Sequence, residues 1–116
     1  MIYDNNPQAA GMSGNVMENT KKVIEFYGET CPYCAAVAPA VNRLEREDGV
    51  TVERLEVWNN EENKARMEAL RPLYEKHCDG NMVVPSFYEE ATGRLICNPS
   101  SYGVLYAWVM NGGKNF

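Results

Sequence analysis

The sequence predicts a single α/β domain built on a mixed β-sheet, and three observations lead to this fold class. A helical pattern at 36–46 lies between two runs of strand-forming residues, and a helix in that place implies a right-handed parallel crossover. Two short strand patterns, 86–89 and 94–97, are joined by a loop too short for anything but antiparallel pairing. The full length of 116 residues suits one domain with a modest hydrophobic core.

The first predicted strand leads directly into the most informative motif of the chain. Val23, Ile24, Phe26 and Tyr27 are β-branched or aromatic and predict a buried strand, and residues 28–30 predict the turn that leaves it. The strand and turn place the sequence Cys-Pro-Tyr-Cys, residues 31–34, at the first turn of a helix. Unpaired N–H groups and the helix dipole favour negative charge there, and a thiolate carries such a charge.

The two cysteines of this motif have different expected roles. Pro32 suits the first helical position, because its fixed φ is already helical and its missing N–H is no loss. Cys31 is therefore the expected exposed thiolate that attacks disulfides, since the thiolate is the reactive form. Cys34 lies further into the helix, and we expect it to be shielded and to resolve the mixed disulfide on Cys31.

The elements after this helix follow from capping and turn residues. Gly49 predicts the helix end, and 50–58 predicts a strand parallel to the first one. Asn59 and Asn60 can cap a second long helix over 61–78, which Pro72 should kink or split. The expected inner positions of that helix are Ala65, Met67, Leu70, Leu73 and Tyr74.

The last third of the chain predicts a turn, a hairpin and a helix. Residues 79–81 form the turn and lead to Val84 and Pro85, after which the hairpin begins. A final helix over 100–110 should pack on one face of the sheet. Its expected inner positions are Val104, Leu105, Trp108 and Val109.

The motif and its flanks resemble the thioredoxin superfamily. Cys-Pro-Tyr-Cys is the active-site sequence of many glutaredoxins, while Val-Ile-Glu-Phe-Tyr at 23–27 is similar to thioredoxins and protein disulfide isomerases. The resemblance implies a thioredoxin fold for residues 22–116, with a central mixed β-sheet flanked by helices on both faces. Residues 1–21 would be an N-terminal arm or a short strand–helix extension.

The resemblance also implies roles for three residues outside the motif. Glu25 stands at the place of a buried acid, whose pKa would be raised towards neutrality so that it can accept the proton of Cys34. The alternative is that Glu25 faces solvent on an edge strand. Pro39 matches a proline of the active-site helix. Pro85 matches a cis-proline that faces the cysteines, and the backbone of Val84 would pair with an extended substrate; the alternative is a trans proline that opens an edge strand.

The substrate surface and the electron source are less determined. Tyr33 would offer an aromatic ring to a partner, although a tolerated loop residue is the alternative, and Thr30 stands where thioredoxins have tryptophan. With Pro32, Val84 and Pro85 these residues form the expected substrate-binding surface. The paired glycines and aspartate with which glutaredoxins hold glutathione are absent from 98–102. Glutathione and a thioredoxin reductase are both possible electron sources, and no bound cofactor is expected besides the redox-active Cys31–Cys34 disulfide.

The other possible ligands do not predict a metal site. Cys78 and Cys97 lack the close spacing of a zinc or iron–sulfur motif, and a buried free thiol is the commoner fate of such residues. A second disulfide or a regulatory thiol is the alternative. His77 is the only histidine and is expected on the surface at a helix end.

Composition limits the partners. The net charge is -5 with no basic block, which argues against nucleic acid or an anionic membrane as a partner. No apolar run is long enough to span a bilayer and the first twenty residues lack a secretory signal pattern, so a cytoplasmic location is expected. The sequence therefore predicts a monomeric thiol–disulfide oxidoreductase that acts on disulfide-containing proteins or small disulfides. The alternatives are a redox-inactive binding or chaperone module and an iron–sulfur or zinc-binding protein.

Overall fold

A computed structural model describes residues 21–110, which form an α/β domain with one mixed sheet and four helices. In chain order the elements are β1 (Lys21–Tyr27), α1 (Pro32–Glu47), β2 (Val50–Glu56), α2 (Glu61–Glu68), α3 (Arg71–His77), β3 (Ser86–Glu89), β4 (Arg94–Cys97) and α4 (Tyr102–Met110). The predicted arm or extension at 1–21 lies outside the described residues except for Lys21, which begins β1. Among the helices of 21–110, none has the length and apolarity needed to cross a membrane.

Within residues 21–110 the sheet has four strands, in the order β2-β1-β3-β4. β1 pairs with β2 in parallel and with β3 antiparallel, and β3 pairs with β4 antiparallel. The predicted parallel crossover and the predicted hairpin are both confirmed, the hairpin with the bounds that the sequence predicts. β1 is thus a central strand, and the chain that leaves its carboxyl end carries the cysteine motif.

The helix α1, which carries the cysteine motif, begins and ends where local chemistry predicts. Cys31 caps its first turn, Pro32 takes the first helical position, and the helix continues through Pro39 to Glu47. After the helix, Gly49 has a φ of 70°, a left-handed conformation that glycine adopts without a steric penalty. The buried residues of α1 recur at helical spacing: Cys34, Val37, Val41 and Leu44.

The predicted second helix is split near Pro72, as expected. α2 ends at Glu68, and α3 carries Pro72 in its first turn. The Asn60 side chain caps α2 by accepting the N–H of Asn63 at 2.9 Å. The prediction that Ala65 is an inner residue is wrong, since the short helix α2 buries only Met67 and exposes Ala65.

Two hydrophobic clusters make up the interior. The first combines β1, α1, β2, β3 and α4 through Val23, Val37, Val41, Leu44, Val50, Val52, Phe87, Leu105, Trp108 and Val109. The second combines β1, β2, α2, α3 and β4 through Ile24, Phe26, Leu55, Val57, Met67, Tyr74 and Leu95. In α4, the expectation that Val104 points inward is wrong. Leu105, Trp108 and Val109 form the buried i, i+3, i+4 stripe, which leaves Val104 on the outer side, 43% exposed.

Candidate functional site

The two cysteines of the motif lie at the amino end of α1. Cys31 has extended backbone angles, φ -78° and ψ 117°, and its sulfur accepts the backbone N–H of Cys34 at 3.1 Å. The Cys31 sulfur thus occupies the place of a capping acceptor, where one of the unpaired helix donors points at it. Both cysteines are free thiols in this structure. The predicted position of the pair at the first helical turn is confirmed.

The expectation that Cys31 is the exposed member of the pair is wrong. Its residue exposure is 4% and that of Cys34 is 6%, so the two are about equally buried. The physical reason is a contact from a distant part of the chain, since the Cys31 thiol donates to the carbonyl of Val84 at 3.8 Å. The segment before Pro85 therefore lies against the Cys31 sulfur, which the sequence predicts to be exposed.

The environment of Cys34 strongly disfavours its ionised form. Burial raises the pKa of the Cys34 thiol to about 12, and a side-chain hydrogen bond with Cys31 and the negative charge of Glu25 act in the same direction. Cys34 therefore holds its proton at neutral pH, and it becomes a nucleophile only when another group takes that proton.

Glu25 is a buried acid in the central strand. Its register neighbours are Arg54 on β2 and Phe87 on β3, and its residue exposure is 4%. Desolvation raises the pKa of Glu25 to about 7 and the nearby Glu45 adds to this, while Arg54, with Nε 3.9 Å from the carboxylate, lowers it. The alternative that Glu25 faces solvent on an edge strand is wrong, because β1 lies between β2 and β3.

An open pocket of about 250 Å³ brings Glu25 and both cysteines together. Its remaining walls come from the end of β1, from the turn after it, from α1 and from β2: Tyr27, Gly28, Glu29, Ala35, Ala38 and Arg54. Glu25 and Cys34 therefore border one shared space. The burial of Cys31 does not isolate it, because its side chain also lines this pocket.

The predicted substrate-binding residues surround Cys31 in two groups. Val84 contacts the Cys31 thiol, and the bond between Val84 and Pro85 is cis, as predicted. Thr30, Pro32 and Tyr33 are exposed beside the cysteines, Tyr33 to 66%. Tyr33 does not line the pocket of Glu25. It borders a second cleft of about 310 Å³, whose other residues are Ala36, Val37, Ala40, Asn98, Pro99, Ser100, Ser101 and Tyr102.

Glu56 holds the turn that presents Cys31, a role the sequence analysis did not predict. Its carboxylate accepts the backbone N–H groups of Glu29 at 2.9 Å, Trp58 at 3.1 Å and Asn59 at 2.8 Å. Partial desolvation works to raise the pKa of Glu56, but these three donors outweigh it and hold that pKa below its ordinary value. The strand predicted over 50–58 ends at Glu56 in the structure, so the predicted bounds did not mark Glu56 as the residue at which the two following loops meet.

The other two cysteines form a disulfide. Cys78 follows α3, Cys97 ends β4, and their Cα atoms are 6.1 Å apart. The expectation that both are buried free thiols is wrong, because the end of α3 packs against the end of the hairpin and brings the two side chains together. Among residues 21–110, no three side chains of His, Cys, Asp or Glu are grouped so that they could hold a metal ion.

Comparison with known proteins adds no relative to these observations. Neither a scan against protein-family models nor a search of curated proteins finds a match to this chain. The geometry of Cys31, Cys34 and Glu25 is therefore the evidence on which a function can be argued.

Proposed function

We propose that this chain is a thiol–disulfide oxidoreductase of the thioredoxin superfamily. The observation that carries the proposal is the arrangement at the start of α1, where the Cys31 sulfur accepts the Cys34 N–H and shares a pocket with Cys34 and Glu25. The Cys31 sulfur lies at the amino end of a helix with a helix N–H directed at it, and a neighbouring thiol and a carboxyl group line the same pocket.

The reaction would proceed in two exchanges. The Cys31 thiolate attacks one sulfur of a substrate disulfide, which forms a mixed disulfide and releases the other substrate sulfur as a thiolate. Cys34 then gives its proton to the Glu25 carboxylate and attacks the Cys31 sulfur. This forms the Cys31–Cys34 disulfide and releases the second substrate sulfur as a thiolate, and the two substrate thiolates take up protons from Glu25 and solvent. The substrate gains the two electrons that the cysteine pair loses.

Docking would use the surface around Cys31. An extended substrate segment would pair with the backbone of Val84 beside Pro85, strand to strand, while Thr30, Pro32 and Tyr33 contact its side chains. The exposed ring of Tyr33 and the position of Val84 at the Cys31 sulfur support this assignment. In a cytoplasmic setting, glutathione or a thioredoxin reductase would return the pair to the dithiol form, and the protein would act as a monomer.

The finer fold assignment belongs to the same proposal. The strand order and the cis bond before Pro85 are consistent with a thioredoxin fold. Helices on both faces of the sheet are supported by consecutive residues of β1, since Val23 belongs to the cluster of α1 and α4 and Ile24 to the cluster of α2 and α3. Successive side chains of a strand point to opposite faces.

The proposal predicts opposite behaviour of two serine variants. Cys31→Ser should reduce insulin disulfides no faster than the dithiol reductant alone, because it lacks the attacking sulfur. Cys34→Ser should accumulate a covalent mixed disulfide, because nothing resolves it. Both are measured by insulin turbidity and by mass spectrometry of the intact protein under non-reducing conditions.

Ala69→Ser is the matched control, since it adds a hydroxyl at an exposed site after α2. It should behave as the wild type. Equal activity of the two cysteine variants, or a mixed disulfide that forms on Cys34, would refute the assignment.

A further inference from the structure

The Cys78–Cys97 disulfide lies beside the segment that contacts Cys31. Cys97 is the register partner of Ser86 in the hairpin, and Ser86 directly follows Pro85. Cys78 belongs to the second hydrophobic cluster together with Val84 and Cys97. The disulfide therefore joins the end of α3 to the strand next to the proposed docking backbone.

Residues 79–85, here called the docking segment, are held chiefly at their ends. Within residues 21–110, no backbone hydrogen bond joins Met82, Val83 or Val84 to another main-chain group. At the carboxyl end, the carbonyl of Pro85 accepts the N–H of Asn98 at 2.7 Å, and Asn98 follows Cys97. At the amino end stands Cys78. Both ends of the docking segment are thus fixed next to a half-cystine.

We propose that Cys78–Cys97 is a second redox site, and that its reduction loosens the docking segment and weakens the binding of extended protein substrates at Cys31. This inference rests on the proposed function for its substrate. Both cysteines are partly exposed, so a reagent can approach them. A small dithiol would attack one sulfur and then close on itself, which gives two protein thiols and one cyclic disulfide. The protein gains two electrons and two protons, and the dithiol loses them.

Loosening follows from the few contacts that are left after reduction. A hydrogen bond of 2.6 Å between the hydroxyls of Tyr74 and Ser86 also joins α3 to β3. It fixes the start of the hairpin but does not replace the covalent cross-link. The backbone hydrogen bonds that remain at the ends of the docking segment are those from Gly80 to Tyr74, from Asn81 to Cys78 and from Asn98 to Pro85. Segments with few backbone hydrogen bonds open at low free-energy cost, so the hydrogen-bonded amides at the two ends of the docking segment, Gly80, Asn81 and Asn98, should respond most to reduction.

The structural half of the inference is tested in a protein that has no active-site thiols. In the variant Cys31→Ser/Cys34→Ser, Cys78–Cys97 is the one disulfide of residues 21–110 that dithiothreitol can reduce. Thiol labelling reports when this reduction has occurred. After reduction, amide hydrogen exchange at Gly80, Asn81 and Asn98, whose N–H groups are hydrogen-bonded at the two ends of the docking segment, should become at least about tenfold faster while exchange in β1 stays unchanged. Unchanged exchange at these three amides, or a disulfide that excess dithiothreitol leaves intact in the folded protein, would overturn the inference.

The substrate half is tested by kinetics in the variant Cys78→Ser/Cys97→Ser. We expect its KM for an unfolded disulfide-bonded protein to rise about fivefold or more, with kcat and the turnover of a small aromatic disulfide changed less than about twofold. Tyr74→Phe is the matched control, since it removes the other link between α3 and β3 and keeps the disulfide. A rise in KM that is equal in both variants would show general destabilisation and overturn the inference.

The two tests distinguish a failure of this inference from a failure of the proposed function. If the wild type turns over neither protein nor small disulfides, the proposed function fails and the substrate half fails with it, while hydrogen exchange still decides whether the second disulfide controls the docking segment. If the wild type is active and the serine pair variant binds protein substrate as tightly, only the further inference is overturned.

Discussion

Glu25 changes its charge near neutral pH, and this property suits its proposed role as the proton acceptor for Cys34. Burial raises its pKa to about 7 from an ordinary value of 4.5. Below pH 7 the group is mostly a carboxylic acid that cannot take a proton from Cys34. Above pH 7 it is a carboxylate in the same pocket as a thiol whose pKa is raised to about 12. General bases work best when their pKa lies near the working pH.

Replacing Glu25 should therefore slow the resolving step in a pH-dependent way. For Glu25→Gln we expect decay of the mixed disulfide at pH 8 to be slower by about tenfold or more, a modest share of what general base catalysis contributes. The wild-type rate should rise through about pH 7, where Glu25 ionises, and the variant should lack that rise. Rapid acid quench and mass spectrometry measure the decay.

Glu53→Gln provides the control, because Glu53 lies on β2, half exposed, with an ion pair to Arg66. Its decay rates should match the wild type at every pH. A Glu25→Gln protein with the wild-type pH profile would remove Glu25 from the mechanism.

At the residue scale, the sequence predicts what local pattern determines. The capping place of Cys31, the buried acid Glu25 and the cis bond before Pro85 were all predicted. The burial of Cys31 was not, and a disulfide of Cys78 and Cys97 was only the alternative to two free thiols, because each depends on a contact between parts of the chain that are distant in sequence. The roles of the proposed substrate-binding residues stay predictions.

At the element scale, the turn after β1 is held by the end of β2, the strand that pairs with β1 in parallel, and by the residues that follow it. Glu56 accepts the backbone N–H of Glu29, and the side-chain amide of Asn59 donates to the Glu29 carboxylate at 2.9 Å. The indole of Trp58 lies over Gly28 so closely that a Cβ there would overlap the ring. These contacts fix Gly28 and Glu29 in the turn that precedes Cys31.

The contact between Gly28 and Trp58 makes a double-variant prediction. Gly28→Ala should lower the free energy of unfolding by about 1–3 kcal/mol, because the added methyl group displaces the indole. In a Trp58→Ala background the same change should cost clearly less, since the overlap is gone. Urea unfolding of the four proteins measures the coupling.

Gly103→Ala is the matched control, because its Cβ would meet nothing closer than the Ser101 hydroxyl at 3.7 Å. The position is exposed within α4, where alanine is the better helix former, so no loss of stability is expected. Additive effects of Gly28→Ala and Trp58→Ala would contradict the described packing.

At the scale of the whole molecule, the order of elements was predictable and their junctions were less so. The parallel crossover and the hairpin follow from connection length, and Pro72 divides the second helix as its missing N–H requires. Helix faces were harder to predict. Ala65 and Val104 fit the periodic pattern but are exposed, since a short helix buries only the part of its surface that a neighbour covers.

The buried acid should also make the stability of the whole domain depend on pH. The folded-state pKa of Glu25, about 7, exceeds the ordinary 4.5, so the folded protein binds the proton more tightly. Stability should fall as the pH rises from about 4.5 to about 7, by up to about 3 kcal/mol from this group. In Glu25→Gln this contribution is absent, and the variant should be more stable than the wild type at pH 8 and nearly equal to it at pH 4.5.

Urea unfolding at the two pH values tests this directly, with Glu53→Gln again as the control. A stability difference between Glu25→Gln and the wild type that is the same at both pH values would mean that Glu25 titrates as an exposed carboxyl.

Competitive alkylation of the reduced protein is the most direct test of the proposed roles, in which Cys31 attacks the substrate and Cys34 resolves the mixed disulfide. Cys31 sits at the helix terminus, while burial raises the pKa of Cys34 to about 12, so brief treatment with iodoacetamide at pH 7 should modify Cys31 first and leave Cys34 free. Peptide mapping by mass spectrometry reads both sites in one sample. Preferential labelling of Cys31 is the predicted result, and labelling of Cys34 as fast as or faster than Cys31 would contradict the proposed mechanism.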